Sequence, residues 1–333
     1  MPLATTSVEP AHAGQPRAPH STMNLRHVVE SQQFTVPLLM ELFERSRTME
    51  RIVARGGTLD YQCRIMATLF YVPSTRTRLS FEAAMHRLGG RVLSTEHAGA
   101  FSSEIEGERV EDSIRILGGI SDVIVIRHPE EDGARRAAEV SPVPVINAGD
   151  GHGGQHPTQA LLDLYTIFRQ RPLDGLSVAF IGELDKGRTA RSLAYLLAKF
   201  ERVKLFFVSP PELQISPDIL KYLDHHGIRY ELESEIDKVI DHVDVVYQTR
   251  IHSESLADAS RIKGYAIDST VLQRMRPDAM ILHPLPRTVE LDKSVDADPR
   301  AMYFRQAMNG LYVRMALLTI LFDNLSTTSG SRW

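Results

Sequence analysis

The chain has 333 residues, of which 43% are hydrophobic and 24% are charged. This length predicts two domains of ordinary size, and no apolar run is long enough to cross a bilayer, which excludes an integral membrane protein. The formal net charge of −4 gives no overall basic field for nucleic acid. A single cysteine, Cys63, excludes an internal disulfide framework and a multi-cysteine metal site, and we expect a reducing, cytoplasmic setting.

Residues 1–24 form an N-terminal tail that is rich in Pro, Ala and His and has no helical period. This composition predicts disorder. The tail lacks the apolar stretch of a secretory signal, whereas its scarcity of acidic residues leaves an organellar-targeting role open.

After the tail, helical patterns alternate with short β-branched runs. The strand candidates are residues 121–128, 143–149, 176–182, 203–209, 243–249 and 279–284. Helical patterns between them include residues 156–170 and 189–200. Continuous apolar strands that alternate with helices are typical of parallel sheets covered on both faces. We therefore predict an α/β fold of two doubly wound parallel-sheet domains, with helices on both faces and ligands beyond the strand carboxyl ends.

Polar clusters follow six strand ends of this pattern. They are residues 74–78, 127–129, 156–159, 188, 249–250 and 285–287. Each cluster alone has an ordinary structural explanation, such as a helix cap, a salt bridge or a first-turn residue. Because parallel strands end at the same edge of a sheet, the shared position favours a functional site.

The segment 74–78, STRTR, follows the apolar run MATLFYVP and opens a helix. We expect Ser74 to cap that helix, whose first N–H groups favour an anion. Three hydroxyl groups and the forked guanidinium of Arg76 add donors that suit phosphate oxygens. The segment predicts a phosphate site that needs neither a glycine loop nor a metal.

A second anion motif is GELDKGRT, residues 182–189, which follows a strand and opens a helix. It matches the P-loop spacing, except that Arg188 stands where lysine belongs. No other part of a nucleotide triphosphatase is evident in the sequence, so we favour Arg188 as a carboxylate-binding fork. A nucleotide enzyme remains an alternative.

Seven segments in this order resemble the aspartate/ornithine carbamoyltransferase family: STRTRLSFE, VIRHPEE, NAGDGHGGQHPTQALLDLYTI, KGRTARSLAYLLAKF, YQTRI, ILHPLPR and VDADPRAMYFRQAMNGLYVRMALL. The resemblance implies a carbamoyl-phosphate domain at residues 25–156, completed by a C-terminal helix at 310–327, and an amino-acid domain at 157–309. It also implies a homotrimer with active sites shared between neighbours and no cofactor or metal. A regulatory chain is left open.

The resemblance also implies a role for each matching residue. The residues for carbamoyl phosphate are Ser74, Thr75, Arg76, Thr77, Arg127, His156 and Gln159, with Arg76, Thr77, Arg127 and His156 as the catalytic set. The residues for the amino acid are Arg188, Arg250, His252, Leu285 and Pro286. As a neutral amine attacks the carbamoyl carbon, Arg127, His156 and Thr77 would stabilise the charge on the carbamoyl oxygen. The leaving phosphate could then accept the proton of the amine.

The sequence departs from the family pattern at clustered positions. In the acidic segment AFSSEIEGERVED, Ser102 matches a family serine, but Glu106 occupies the position of a lysine that reaches the neighbouring subunit's site. Val72 replaces a glutamate that ties the two domains together, and His252 replaces a glutamine near the substrate side chain. A carboxylate that faces a phosphate dianion would repel it, where lysine attracts it.

These departures leave three hypotheses beside carbamoyl transfer to aspartate. They are a carbamoyltransferase with another amine acceptor or weak aspartate activity, a noncatalytic homologue that binds a partner, and the nucleotide enzyme. The retained Arg76, Arg127 and His156 argue against a purely structural role. We predict transfer of the carbamoyl group of carbamoyl phosphate to an amino acid, first of all aspartate, in pyrimidine synthesis.

Overall fold

The framework of the molecule is a pair of parallel β-sheets. The computed structural model describes residues 25–96, 98, 109–151, 153–252 and 259–327. The tail at residues 1–24, Ser102 and Glu106 lie outside these ranges. The described part of the chain confirms the prediction of an α/β fold with two parallel sheets.

The first sheet has four parallel strands in the spatial order β2-β1-β3-β4. They are β1 (Ile65–Phe70), β2 (Arg91–Glu96), β3 (Val123–Arg127) and β4 (Val145–Asn147). The chain winds outwards in opposite directions from the central pair β1 and β3. A doubly wound sheet opens a crevice at the carboxyl ends of such a pair, which here are Phe70 and Arg127.

The second sheet has five parallel strands in the spatial order β7-β6-β5-β8-β9. They are β5 (Ser177–Ile181), β6 (Lys204–Val208), β7 (Arg229–Glu233), β8 (Val245–Gln248) and β9 (Met280–Leu282). The winding direction changes between β5 and β8, where Ile181 lies opposite Gln248. The second crevice is therefore expected beyond these two residues.

Nine α-helices surround the sheets in the described residues. They are α1 (Val36–Ala54), α2 (Thr75–Arg87), α3 (Val110–Ile120), α4 (Gly133–Val140), α5 (Pro157–Phe168), α6 (Arg188–Leu197), α7 (Pro217–His225), α8 (Ser269–Arg274) and α9 (Tyr303–Thr327). Short 3-10 helices span Pro211–Leu213, Ile236–Lys238, Ala259–Tyr265 and Lys293–Ala297. None of the helices within the described ranges has the length and apolar character that a membrane span requires.

Helices cover both faces of each sheet, as the apolar strands predict. Successive side chains of a strand point to opposite faces, so Val123 and Val125 join one core while Ile124 and Ile126 join another. In the second sheet, Phe180 and Ile181 divide between two cores in the same way. The largest core extends from the first sheet to the second and includes buried apolar residues of α5 and α9.

Two helices connect the halves of the molecule. Helix α5 is buried over most of its length and packs against α6 and α9. Helix α9 packs against α1, α2 and α5 and also contacts β9. The C-terminal helix thus returns to the first sheet. Its contact with β9 also places the beginning of this helix beside the second sheet.

Candidate active site

The N-terminus of α2 offers an open anion site. Ser74 occupies the N-cap position as predicted, but its side chain makes no capping hydrogen bond. Thr75 and Arg76 are exposed, whereas Thr77 is buried. Phe81 is buried in the core one turn later and anchors the helix. The first N–H groups of α2 therefore keep their orientation without a capping side chain, as anion binding at a helix N-terminus requires.

Arg127 ends β3 beside this helix, and its Nη1 donates to the carbonyl oxygen of Ala148 at 3.1 Å. Burial, together with the positive charges of Arg188 and Arg76, lowers the pKa of Arg127 to about 10. These three guanidinium groups come from α2, β3 and α6, and those of Arg76 and Arg188 lie close enough to Arg127 for their charges to act on it. Such a concentration of positive charge favours an anionic ligand.

His156 is the N-cap residue of α5. Its backbone N–H donates to Ser192 Oγ on α6 at 2.9 Å, and its Nδ1 lies 3.4 Å from Thr158 Oγ1. Burial and the charges of Arg127, Arg314 and Arg188 hold the pKa of His156 well below its usual range. The imidazole is therefore neutral, and a neutral ring offers one N–H donor to a carbonyl oxygen without adding a charge.

Gln159 lies in the first turn of α5, and its Nε2 donates to Asp163 Oδ1 at 2.8 Å. Asp163 also accepts from Tyr247 Oη at 2.7 Å and from Gln306 Nε2 at 2.6 Å. Burial raises the pKa of Asp163 to about 7. The sequence analysis did not identify this buried acid, although an acidic residue inside the apolar helix segment ALLDLYTI was an available signal.

Arg188 begins α6, and its Nη1 donates to the carbonyl oxygen of Asp150 in the loop after β4. Burial lowers the pKa of Arg188. The guanidinium of Arg188 thus reaches from the second sheet to the loop of the first sheet that carries Asp150. Burial raises the pKa of Asp150 to about 7. This contact places Arg188 with Arg127 and favours the carboxylate-fork interpretation over a P-loop.

Arg250 and His252 follow β8, at the edge of the second sheet where the strands have their carboxyl ends. Arg250 is exposed. The backbone N–H and the Nδ1 of His252 both lie near one oxygen of Glu183, Oε2, at 3.1 and 3.0 Å. Glu183 is buried and comes from the loop after β5. The sequence analysis missed Glu183, whose position within GELDKGRT was considered only as part of a phosphate loop.

Leu285 and Pro286 follow β9 and are joined by a cis peptide bond. Leu285 has a φ of +53°, in the left-handed region. Its N–H donates to His283 Nδ1 at 2.8 Å, and His283 Nε2 lies 3.0 Å from Glu290 Oε1. The side chains of His283 and Glu290 are both buried, so the loop conformation rests on residues that were not predicted from the sequence.

The structure brings four of the predicted site residues together. Arg76, Arg127, His156 and Arg188 form one cluster across the two sheets. The described residues contain no group of three or more His, Cys, Asp and Glu side chains that suits a metal ion. The roles predicted for Ser102 and Glu106 concern residues outside the described ranges.

Two family models match the chain. The model for the aspartate/ornithine carbamoyltransferase carbamoyl-P binding domain matches residues 26–169, and the model for the Asp/Orn binding domain matches residues 174–321. The chloroplastic aspartate carbamoyltransferase of Oryza sativa subsp. japonica is 51% identical over 314 residues, which cover 90% of this chain and 86% of that relative. The aspartate carbamoyltransferase catalytic subunit of Methanothrix thermoacetophila is 45% identical and covers 90% of this chain and 99% of its own.

Solved structures agree with these matches. The catalytic subunit of aspartate transcarbamoylase from M. jannaschii has a TM-score of 0.84 at 41% identity and covers 92% of this chain and 100% of its own. The aspartate transcarbamoylase from Trypanosoma cruzi in complex with carbamoyl phosphate and aspartate has a TM-score of 0.83 at 38% identity, over 88% of this chain and 94% of its own.

The comparisons contradict the expected cytoplasmic location. The relatives from rice, Pisum sativum and Arabidopsis thaliana, at 51%, 53% and 52% identity, are all named as chloroplastic. The expectation was wrong because a single cysteine argues against an oxidising compartment but does not distinguish one reducing compartment from another.

Proposed function

The chain belongs to the aspartate/ornithine carbamoyltransferase family, and from this membership we propose that it transfers the carbamoyl group of carbamoyl phosphate to the amine of aspartate. The products are N-carbamoyl-L-aspartate, an intermediate of pyrimidine synthesis, and phosphate. The observation that carries the proposal is the cluster in which Arg76 and Arg188 lie near Arg127, while Arg127 and Arg188 lie near the neutral imidazole of His156.

The phosphate group of carbamoyl phosphate would lie at the N-terminus of α2. The open N–H groups of its first turn, the hydroxyls of Ser74, Thr75 and Thr77, and the guanidinium of Arg76 are the donors. These groups stabilise the phosphate as it gains charge and leaves, because fixed donors need no reorganisation during the reaction. No covalent intermediate is required, and the departing phosphate can accept the proton of the amine.

The carbamoyl oxygen would lie between Arg127, His156 and Thr77. Negative charge grows on this oxygen as the amine attacks, and two of the three donors are held in place by the contacts of Arg127 with Ala148 and of His156 with Ser192. A neutral His156 donates through its ring N–H without the desolvation cost of a further buried cation. Gln159, oriented by Asp163, would bind the carbamoyl amide.

The acceptor would bind between the two sheets. Arg188 and Arg250 lie at the carboxyl ends of β5 and β8, and their guanidinium groups suit the two carboxylates of aspartate. We propose the backbone carbonyl group of Leu285 as an acceptor for the hydrogen atoms of the amine. We also infer a division of the chain near residue 156, because the four-stranded sheet precedes this point and the five-stranded sheet follows it.

A different amine acceptor is the main alternative, because Glu106 occupies the position of the family lysine. The relatives do not favour it, since those at 43–53% identity are named for aspartate. The noncatalytic alternative is also disfavoured, because a purely structural homologue has no need of three clustered guanidinium groups, which repel one another without a ligand.

We further infer a homotrimer with shared active sites. Five of the large apolar side chains that are exposed in the described residues come from one stretch of the first half of the chain. They are Leu59, Leu79, Leu93, Ile116 and Ile120, with exposures of 44–70%. Leu93 belongs to β2, which is an edge strand of the first sheet in the described residues. A surface of this kind is typical of an interface between copies of a chain.

Phosphate release from carbamoyl phosphate with a panel of amino acids tests the proposed function. We expect turnover with aspartate to exceed turnover with every other amino acid. Arg76→Ala should weaken carbamoyl phosphate binding at least about tenfold, because charge-assisted hydrogen bonds are the strong ones. Arg87→Ala is the matched control, since Arg87 lies at the other end of α2 and donates to the carbonyl oxygen of Gly56 at 2.7 Å.

Two results would contradict the proposal. The first is a lack of phosphate release with aspartate when another amino acid supports it. The second is an unchanged affinity of the Arg76→Ala protein for carbamoyl phosphate in calorimetry, which would place the phosphate elsewhere.

A further inference from the structure

A chain of buried hydrogen bonds begins at Gln159, on the carbamoyl side of the site. Gln159 Nε2 donates to Asp163 Oδ1 at 2.8 Å, and Gln306 Nε2 donates to the same oxygen at 2.6 Å. Asp163 and Gln306 have exposures of 0% and 1%. Water therefore does not compete for these contacts, and each group depends on its protein partner.

The series of hydrogen bonds continues to the loop that carries Leu285, on the acceptor side of the site. Gln306 Oε1 accepts the backbone N–H of His283 at 2.9 Å. His283 Nδ1 accepts the N–H of Leu285 at 2.8 Å, and Nε2 faces Glu290 Oε1 at 3.0 Å. Because Nδ1 is an acceptor, Nε2 carries the ring proton and donates it to the carboxylate of Glu290. The tautomer of His283 is thus fixed at both nitrogens.

The amide of Gln306 connects the two halves of this series of hydrogen bonds. Its nitrogen end faces the acceptor Asp163 and its oxygen end faces the donor N–H of His283. Rotation of the amide by 180° would put the nitrogen against a donor and the oxygen against an acceptor, so a single orientation satisfies both ends. Gln306 lies in the first turn of α9, which packs against α5 and contacts β9.

We propose that Gln306 is a positioning residue. It keeps the Leu285 loop, on the acceptor side of the site, in a fixed position relative to Gln159 on the carbamoyl side. This inference deepens the proposed function and rests on it. Gln306 contacts neither the predicted phosphate donors nor Arg127; it acts through Asp163 and His283. Its loss should displace the Leu285 carbonyl from the amine while the donors for phosphate on α2 stay in place.

The substitution Gln306→Met tests this inference, because methionine keeps the length of the side chain and removes both hydrogen bonds. Steady-state kinetics should show a KM for aspartate at least about tenfold higher and a lower kcat, with the KM for carbamoyl phosphate within about threefold of the original value. If this variant does not fold, Gln306→Asn shortens the amide by one methylene group and should change the same parameters in the same direction.

The matched control is Asn309→Leu. Asn309 lies one turn further along α9, is buried, and donates to Thr166 Oγ1 on α5 at 2.9 Å. It joins the same two helices without touching Asp163 or His283. A merely structural role for Gln306 predicts equal kinetic effects of the two substitutions, whereas positioning predicts wild-type KM and kcat values for Asn309→Leu.

Hydrogen exchange gives a readout that does not depend on activity. The amides of His283 and Leu285 should exchange faster in Gln306→Met than in Asn309→Leu or the unaltered protein. Faster exchange in a protein that does not carbamoylate aspartate would retain the positioning role and reject the proposed function. Unchanged exchange at both amides, or kinetic changes of equal size in the two variants, would overturn the inference.

Discussion

Gly149 shows how one backbone position controls the guanidinium of Arg127. Gly149 has a φ of +119°, and a Cβ atom there would lie 2.9 Å from Arg127 Nη1. We expect Gly149→Ala to displace this guanidinium and to lower kcat at least about tenfold, since a donor to the carbamoyl oxygen loses its geometry. Steady-state phosphate release with saturating substrates measures the effect.

Gly175→Ala separates this effect from backbone strain. Gly175 also has a positive φ, +76°, but an added Cβ would meet no atom within 4 Å. Both substitutions should therefore destabilise the fold by a similar amount, on the order of 1 kcal/mol, and only the change at Gly149 should reduce kcat. Equal kinetic effects at the two glycines would show that strain, rather than displacement of Arg127, explains the loss.

The exposed and strand-end residues of the site were predictable from the sequence, whereas their buried supports were not. Ser74 and Arg127 follow apolar runs directly, and Arg188 opens the helix after a short loop from another such run, so their position near a sheet edge follows from the pattern. Asp163 and Glu290 act through partners 143 residues and 7 residues away in the chain, Gln306 and His283. A hydrogen bond between distant segments leaves no local signature, and a single polar residue in an apolar run has several explanations.

At the level of elements, β2 and β7 are strands that the sequence pattern did not predict. Their sequences, RVLSTE and RYELE, are largely polar and their residues are mostly exposed or half-buried. Both strands lie at the edge of a sheet. An edge strand covered on fewer sides has no continuous apolar run, and its charged residues discourage pairing with another chain. The other two edge strands, β4 and β9, are buried and largely apolar, and they were predicted from the pattern together with buried central strands.

Asp163, on helix α5, makes the free energy of unfolding depend on pH. Burial raises the pKa of Asp163 in the folded state to about 7, from an ordinary value of 3.8. Between these two values the folded state binds more protons than the unfolded state, so the contribution of Asp163 to the free energy of unfolding falls as pH rises from about 4 to about 7. Below pH 4 both states are protonated and the full contribution is present.

We expect Asp163→Asn to remove this decline, because an amide does not titrate and its oxygen still accepts from Gln159 and Gln306. The difference in unfolding free energy between the variant and the unaltered protein should shift in favour of the variant by roughly 3 kcal/mol from pH 5 to pH 8. Urea unfolding at both pH values measures it. A difference that stays constant with pH would mean that Asp163 is ionised with an ordinary pKa.

For the whole molecule, the position of the site follows from the way in which the two sheets are joined. Helices α5 and α9 contribute to the core of both halves, and Arg188 reaches from the second sheet to Asp150 in the first. The order of elements could be predicted from the sequence, since strands and helices alternate throughout. The return of α9 to α1 and α2 was predicted only from the family resemblance, because packing between the two ends of a chain has no local pattern.

A homotrimer with shared sites predicts that two inactive variants restore each other's activity. Arg76→Ala removes the phosphate fork, and Ser102→Ala alters the segment expected to reach the neighbouring site. In trimers reassembled from equal amounts of both variants, about one quarter of the sites would combine an intact Arg76 from one chain with an intact Ser102 from the next, provided that chains mix at random. We therefore expect phosphate release near a quarter of the wild-type rate in the whole mixture, which corresponds to about one intact site of three in each hybrid trimer, and a mass of three chains in light scattering. Sites built within single chains would leave the hybrids as inactive as their parents.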